Sequence, residues 1–307
     1  MIFLAGAIAC GSQNSSTPAD APNGSGTPPA DAPKQVDAPK PVDAPATPVV
    51  LGFACAGNTT PPTVPATVAV TGSAAGIDTN LGDLLNMKFV LPYTGTVDLC
   101  SAEPCTSTNQ LGTATTTATG SFSFNLTTNA APVPAYVEIP VAGTGSAATL
   151  ETLAYIGTSF VKDTAVAPIV LVPQAAIAAV AQNAAGQCTT GAGLGFVAYK
   201  AVDCSGTVVT DSTKVQGTLT QNGTAVGDAP IDVYQTVTTL VDSNNLQSFA
   251  GSAANSLQGI FLVCGVPAGA TTLNVTYASG SGNVDFLPVT FQTIGSAATE
   301  VAAQPGY

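Results

Sequence analysis

With 307 residues the chain has room for two domains of ordinary size, and its 18 acids against 6 lysines, with no arginine, leave a net charge of −12. Phosphate neutralisation needs clustered Lys or Arg, so nucleic-acid binding is excluded, and anionic membrane surfaces are disfavoured for the same reason. The absence of histidine removes Ser-His-Asp triads and His-ligated metals together, and no cofactor motif or metal-ligand spacing is present.

Thr, Val, Gly and Ala richness, with turn residues every eight to twelve positions, predicts an all-β protein built from β-sandwiches. Five segments are expected: a signal-peptide remnant over 1–10, a disordered stalk over 11–61, a first β-sandwich over 62–172, a helix and linker over 173–192, and a second β-sandwich over 193–307. The two sandwiches stand in tandem.

Residues 1–10, MIFLAGAIAC, end in small and apolar residues before Cys10. They resemble the end of a bacterial lipoprotein signal peptide, in which that cysteine becomes the lipidated first residue of the mature protein. The basic n-region is missing and Ala7 stands where Leu is usual, so the true start is expected further upstream. Residues 11 to about 50 are Ser, Thr, Pro, Ala and Asp, with Asp-Ala-Pro recurring at Asp20, Asp31, Asp37 and Asp43. Such a stretch has too little apolar bulk to offset its ordering entropy, and as a tether it could reach about 120 Å in polyproline II geometry. Lipidated cysteine followed by this kind of stalk resembles surface lipoproteins of myxobacterial type. Gly11, in place of the Asp that signals inner-membrane retention, implies the outer membrane by the same resemblance. The expected partners are therefore the membrane, through the lipid anchor, and an envelope protein or polysaccharide.

In the first module, strands are expected at Thr67–Thr71, Lys88–Leu91, Thr96–Cys100, Ser121–Leu126, Ala135–Val141, Leu150–Phe160 and Pro168–Val172. The run from Thr115 to Leu126, then Pro132 to Gly143, resembles the carboxypeptidase regulatory-like domain, whose fold is a transthyretin-like β-sandwich. Its Asp-bearing turn is here Thr117-Ala118-Thr119-Gly120, with the Asp replaced. Pro173 to Ala185 is the one helix candidate, with proline in its first turn and Gly186 at its C-terminal end. In the second module, KAVDCSGTVV (Lys200–Val209) and GIFLVCGVPAGATTLNVTY (Gly259–Tyr277) resemble the same family more closely. The latter reads as a β-hairpin turning at Pro267–Gly269. Matching Phe261 to the family's phenylalanine puts Phe261 and Val263 inside, with the two strands offset in phase across the turn.

Six cysteines follow the lipidation site: Cys55, Cys100, Cys105, Cys188, Cys204 and Cys264. An even number in an exported chain implies disulfides. Cys100 with Cys105 closes a small loop, and of three pairings open to the rest the favoured one is Cys204 with Cys264 and Cys55 with Cys188, the second pinning the stalk at the joint. Asp242–Asn245, and Asp78, Asn80 and Asp83, could offer oxygens to calcium but lack EF-hand spacing and read as solvated turns. Asp203 is expected to cap its turn with Ser205 and Gly206 rather than to act as a catalytic acid. No catalytic set is found, so the expected function is a non-catalytic surface lipoprotein for adhesion, envelope structure or ligand binding. Two alternatives carry their own marks: a polysaccharide-active enzyme needs a cleft with two acids about 5 to 10 Å apart, and a carbohydrate-binding module needs coplanar exposed tyrosines.

Overall fold

The structure, a computed structural model, describes residues 51–77, 89–143, 148–166, 168–173, 188–233, 258–280 and 282–307. Nine strands come from the first half: β1 (Thr67–Ile77), β2 (Phe89–Pro92), β3 (Thr96–Cys100), β4 (Gln110–Thr115), β5 (Ser121–Thr127), β6 (Tyr136–Ile139), β7 (Thr152–Tyr155), β8 (Thr164–Ala165) and β9 (Ile169–Leu171). The second half supplies β10 (Leu194–Ala201), β11 (Val215–Gln221), β12 (Thr224–Ala225), β13 (Ile231–Asp232), β14 (Ile260–Pro267), β15 (Gly269–Ser279), β16 (Gly282–Asp285), β17 (Val289–Thr293) and β18 (Ala298–Ala303). Among the described residues the fold is all-β, as the composition leads one to expect. Of the helix candidate only Pro173 falls within the described residues, and Cys10, the stalk up to residue 50 and both calcium candidates fall outside them.

Strands form where side chains alternate in polarity, because successive Cβ atoms point to opposite faces. In β5, Phe122, Phe124 and Leu126 are buried while Ser121, Ser123, Asn125 and Thr127 face out. Gly72 of β1 sits opposite Phe122, and a Cβ there would lie 2.4 Å from the ring, so the glycine makes room for the aromatic. The turn before β5 lacks the Asp of the resembled family. Its place is taken by the Thr117 hydroxyl, which accepts from the N–H of Thr119 and of Ser121 at 3.3 and 3.2 Å.

Three sheets result. A central sheet of eight strands runs β13-β14-β10-β18-β7-β6-β3-β4, and so draws strands from both sides of residues 173–192. Strand β18 makes this possible by pairing in parallel with β10 on one side and with β7 on the other. Two five-stranded outer sheets cover it, one of β1, β2, β5, β8 and β9 and one of β11, β12, β15, β16 and β17.

The outer sheets cover opposite faces of the central one. Directly paired residues share a face. Val301 pairs with Tyr155, and both pack in the core that includes Val197, Tyr199, Phe261, Leu273 and Val275. One residue earlier, Glu300 pairs with Ala154, which packs in the other core with Val70, Leu99, Phe124 and Val137. Each core lies between two sheets and is therefore a sandwich, but the two sandwiches have one sheet in common.

The reading of Gly259–Tyr277 as a hairpin is corrected. Strand β14 pairs with β10 and β13 in the central sheet, whereas β15 pairs with β11, β16 and β17 in an outer sheet. Pro267–Gly269 is a corner that carries the chain across a sandwich. Phe261 and Val263 are buried, as are Leu273, Val275 and Tyr277, so the expected inward face and phase offset are both found. They face each other from opposite sheets.

Disulfide pairing is corrected as well. Cys100 bonds Cys105 as expected, but Cys55 bonds Cys204 and Cys188 bonds Cys264, with Cα atoms 5.8 and 5.0 Å apart. The first described residues thus strap onto the second half rather than pinning the joint. Phe53 packs against Tyr277 in a tilted arrangement with centroids 5.1 Å apart and meets Phe286 edge-on at 6.2 Å. Gly52 N–H donates to the Asp203 carboxylate at 2.9 Å, and Tyr307 N–H donates to the Asn58 carbonyl at 3.1 Å. Gly306 is required here, because a Cβ would lie 1.9 Å from the Cys55 carbonyl oxygen.

Candidate functional site

Asp203 does what its turn requires. Its carboxylate accepts from Ser205 N–H, Ser205 hydroxyl and Thr207 N–H at 2.8, 2.6 and 2.9 Å, besides Gly52. Its pKa lies below the ordinary range: burial acts to raise it, and the four donors together outweigh that. A carboxylate so fully engaged is a cap, not a catalytic acid.

The candidate site lies where the halves meet. A cleft of about 570 Å³ is lined by the Ser101–Glu103 loop, by Pro134–Tyr136 leading into β6, by Tyr155–Ser159 after β7, and by Leu287–Gln292 including most of β17. The loop from β3 to β4 is short and cross-braced. Besides its disulfide, Asn109 donates from its amide to the Pro104 carbonyl at 2.7 Å and accepts Thr106 N–H at 2.7 Å. This bracing holds Glu103 against β6.

Three aromatic side chains form the wall. Tyr136 stacks on Tyr155 with centroids 4.9 Å apart, and Tyr155 lies 5.6 Å from Phe291. They come from β6, β7 and β17, so pairing of β6 with β7 and closure of the second outer sheet are both needed to assemble them. Burial pushes the Tyr155 phenol up to about 12, against a hydrogen bond from Gln292 N–H.

Around the Tyr136 hydroxyl converge three acceptors: Glu103 Oε2 at 2.6 Å, Glu138 Oε2 at 3.2 Å and the Ala102 carbonyl at 3.2 Å. A phenol has one proton to donate. The shortest contact is to Glu103. Glu138 is pushed up to about 7, first by burial and then by the charges of Glu103 and Glu151, so it holds a proton for part of the time at neutral pH. Glu151 is raised by burial and by Glu103, and burial with both neighbouring acids keeps the Tyr136 phenol protonated throughout the accessible range.

This cluster bears on the two alternatives. Glu103 and Glu138 are close enough for a glycosidase pair, but both turn onto one phenol oxygen, which stands where a scissile bond would have to pass. Glu138 is not among the residues lining the cleft. Tyr136 and Tyr155 are nearly parallel, at 21°, yet they stack on each other and Tyr136 is only 2% exposed, so they make no platform for a sugar face. Metal binding is no better served. The sulfurs of Cys100 and Cys105 and a Glu138 oxygen lie within 4.8 Å of one another, but the sulfurs are bonded together and offer no thiolate.

None of Glu103, Tyr136, Glu138 or Tyr155 stands out in the sequence. The usable signal was the six-residue CSAEPC loop, since a carboxylate between two closely spaced cysteines is held in one place if they pair. No protein-family model matches the chain, and no curated protein does. Solved structures with some likeness include the shaft pilin SpaA of Lactobacillus rhamnosus GG, 12% identical over 78% of this chain and 98% of that one, with a TM-score of 0.22. Another is the minor pilin GBS52 of Streptococcus agalactiae, 12% identical over 77% and 95%, with a TM-score of 0.22. Superpositions this loose carry no statement about the present chain.

Proposed function

We propose that this chain is an exported, lipid-anchored surface protein whose all-β body serves binding and adhesion rather than catalysis. The observation that carries the reading is the strap. Immediately after the Asp-Ala-Pro stretch, the chain is riveted to the far half by Cys55–Cys204, by the Phe53 aromatic contacts and by Asp203, so load arriving from the anchor side meets a covalent bond before it meets a sheet. Three disulfides suit an oxidising compartment outside the cytoplasm. Cys10 is the proposed lipid attachment point, and two or more acyl chains there would give the stable anchoring that one cannot. The outer membrane is the proposed location, with an envelope protein or polysaccharide as partner. The phenol lodged between Glu103 and Glu138 supports the non-catalytic half of the reading.

The test is fractionation of cells expressing the chain behind a complete signal sequence. Wild type should enter the detergent phase and Cys10→Ala the aqueous phase. A Cys10→Ala variant that still enters the detergent phase sinks the anchor and the display reading with it.

A further inference from the structure

The cleft between the halves has the size of a small-molecule site, and its walls narrow the chemistry of what fits it. Hydroxyls from Thr158, Ser159 and Thr290, with the Gln292 amide, offer donors and acceptors without charge, while Pro288 and Tyr155 offer apolar surface. No lysine lines it. An anionic ligand would find nothing to neutralise it and would meet Glu103 in a chain of net charge −12. A cationic ligand would find one side-chain carboxylate among the described lining residues, Glu103, which already accepts a hydrogen bond from the neutral Tyr136 hydroxyl, and every other lining side chain is uncharged. What the walls still ask for is a neutral molecule with many hydroxyls and some apolar C–H surface.

We propose that this cleft binds an uncharged oligosaccharide segment, with the Glu103 carboxylate accepting hydrogen bonds from its hydroxyls. The proposal rests on reading the body as a binding module and gives that module a ligand class and a place. Because the walls come from both halves, the ligand touches β6, β7 and β17 together, and only the assembled body can bind it.

Titration calorimetry on the full chain in detergent tests this, with five hexasaccharides: cellohexaose, maltohexaose, xylohexaose, the galacturonic acid hexamer and the glucosamine hexamer. At least one neutral oligomer should bind and the galacturonate should not. Glu103→Gln should weaken that binding on the order of tenfold or more, as expected for loss of a charged acceptor. Ser159→Ala, outside the disulfide loop, should weaken it severalfold, and unchanged melting of both variants would show that the fold is intact. Binding of only the charged oligomers, binding of none, or equal binding by Glu103→Gln overturns the proposal. Absence of binding leaves the display reading standing, since fractionation decides that separately.

Discussion

Removing the strap tests the architecture at the point where stalk and body meet. Cys55–Cys204 closes a loop with a sequence separation of 149 residues. In the chain-entropy view, opening a loop of that length releases about 5 kcal/mol of constraint on the unfolded state, and native strain could only reduce this figure. The perturbation is a pair of truncations. One begins at Val49 and keeps the strap; the other begins at Thr59 and carries Cys204→Ser, losing the disulfide, the Phe53 contacts with Tyr277 and Phe286, and the Gly52 donor to Asp203. A domain of this size moves in melting temperature by roughly 2–4 °C per kcal/mol, so the second truncation should melt about 10 °C or more below the first. The first should melt within about a degree or two of the full chain, because the compact unit begins at Val49. Differential scanning calorimetry under non-reducing conditions reads both. Equal melting of the two truncations would refute the strap, and a large drop in the first would mean that residues before Val49 carry part of the stability.

Two further outcomes follow from burial and charge. Phe261→Ala should cost about 3 to 5 kcal/mol in equilibrium unfolding, since its ring is buried against Tyr199 at 5.1 Å. Leu262→Ala should cost about 1 to 2 kcal/mol rather than a negligible amount, because that side chain packs on the opposite face with Cys188, Phe196 and Ile231; near-zero cost at Leu262 would mean that this face is open. As for pH, Glu138 and Glu300 are both raised from 4.5 to about 7, chiefly by burial, so the folded state holds more protons than the unfolded state between those values. Stability should therefore fall as pH rises from about 4.5 to about 7 and level off above, with Glu138→Gln and Glu300→Gln each flattening the slope; a melting temperature that rises over this window contradicts the assignment.

Period-two patterning made the strands legible. Thr96–Cys100 is found as expected and Ser121–Leu126 lies within one residue, because each has a wet and a dry face. Strand β4 is not legible in the sequence, since it lies at the sheet edge with no residue fully buried and so shows no dry face. Order and sign of the longer-range contacts were not legible. Which cysteine meets Cys204 is decided by where the chain docks 149 residues earlier, and no local pattern encodes that. The cleft is hidden for the same reason: Tyr136, Tyr155 and Phe291 are unremarkable apolar positions in three separate strands, and only β18, inserted in parallel between β7 and β10, brings the halves into register.

The stretch from Ile260 to Tyr277 shows how a correct face assignment can accompany a wrong connection. In β14 the inward residues run Phe261, Val263, then Val266, a step of three where a regular strand takes two. Opposite them on β10, Val197 pairs with Val263 and Gly195 with Val266, so the extra residue is a bulge. Gly265 supplies the positive φ of 67° at that point. The bulge serves two partners at once. It leaves Cys264 on the opposite face, with Leu262, where it bonds Cys188, and it returns Val266 to the core. After the corner at Pro267–Gly269 the inward set resumes at Thr271, Leu273, Val275 and Tyr277 on the facing sheet. A hairpin would have kept both strands in one sheet, and their side chains would then have lain side by side on one face. Two buried sets that approach from opposite sides of the same core need a crossing, and the Cys-Gly pair before Val-Pro is the local chemistry that prepares it.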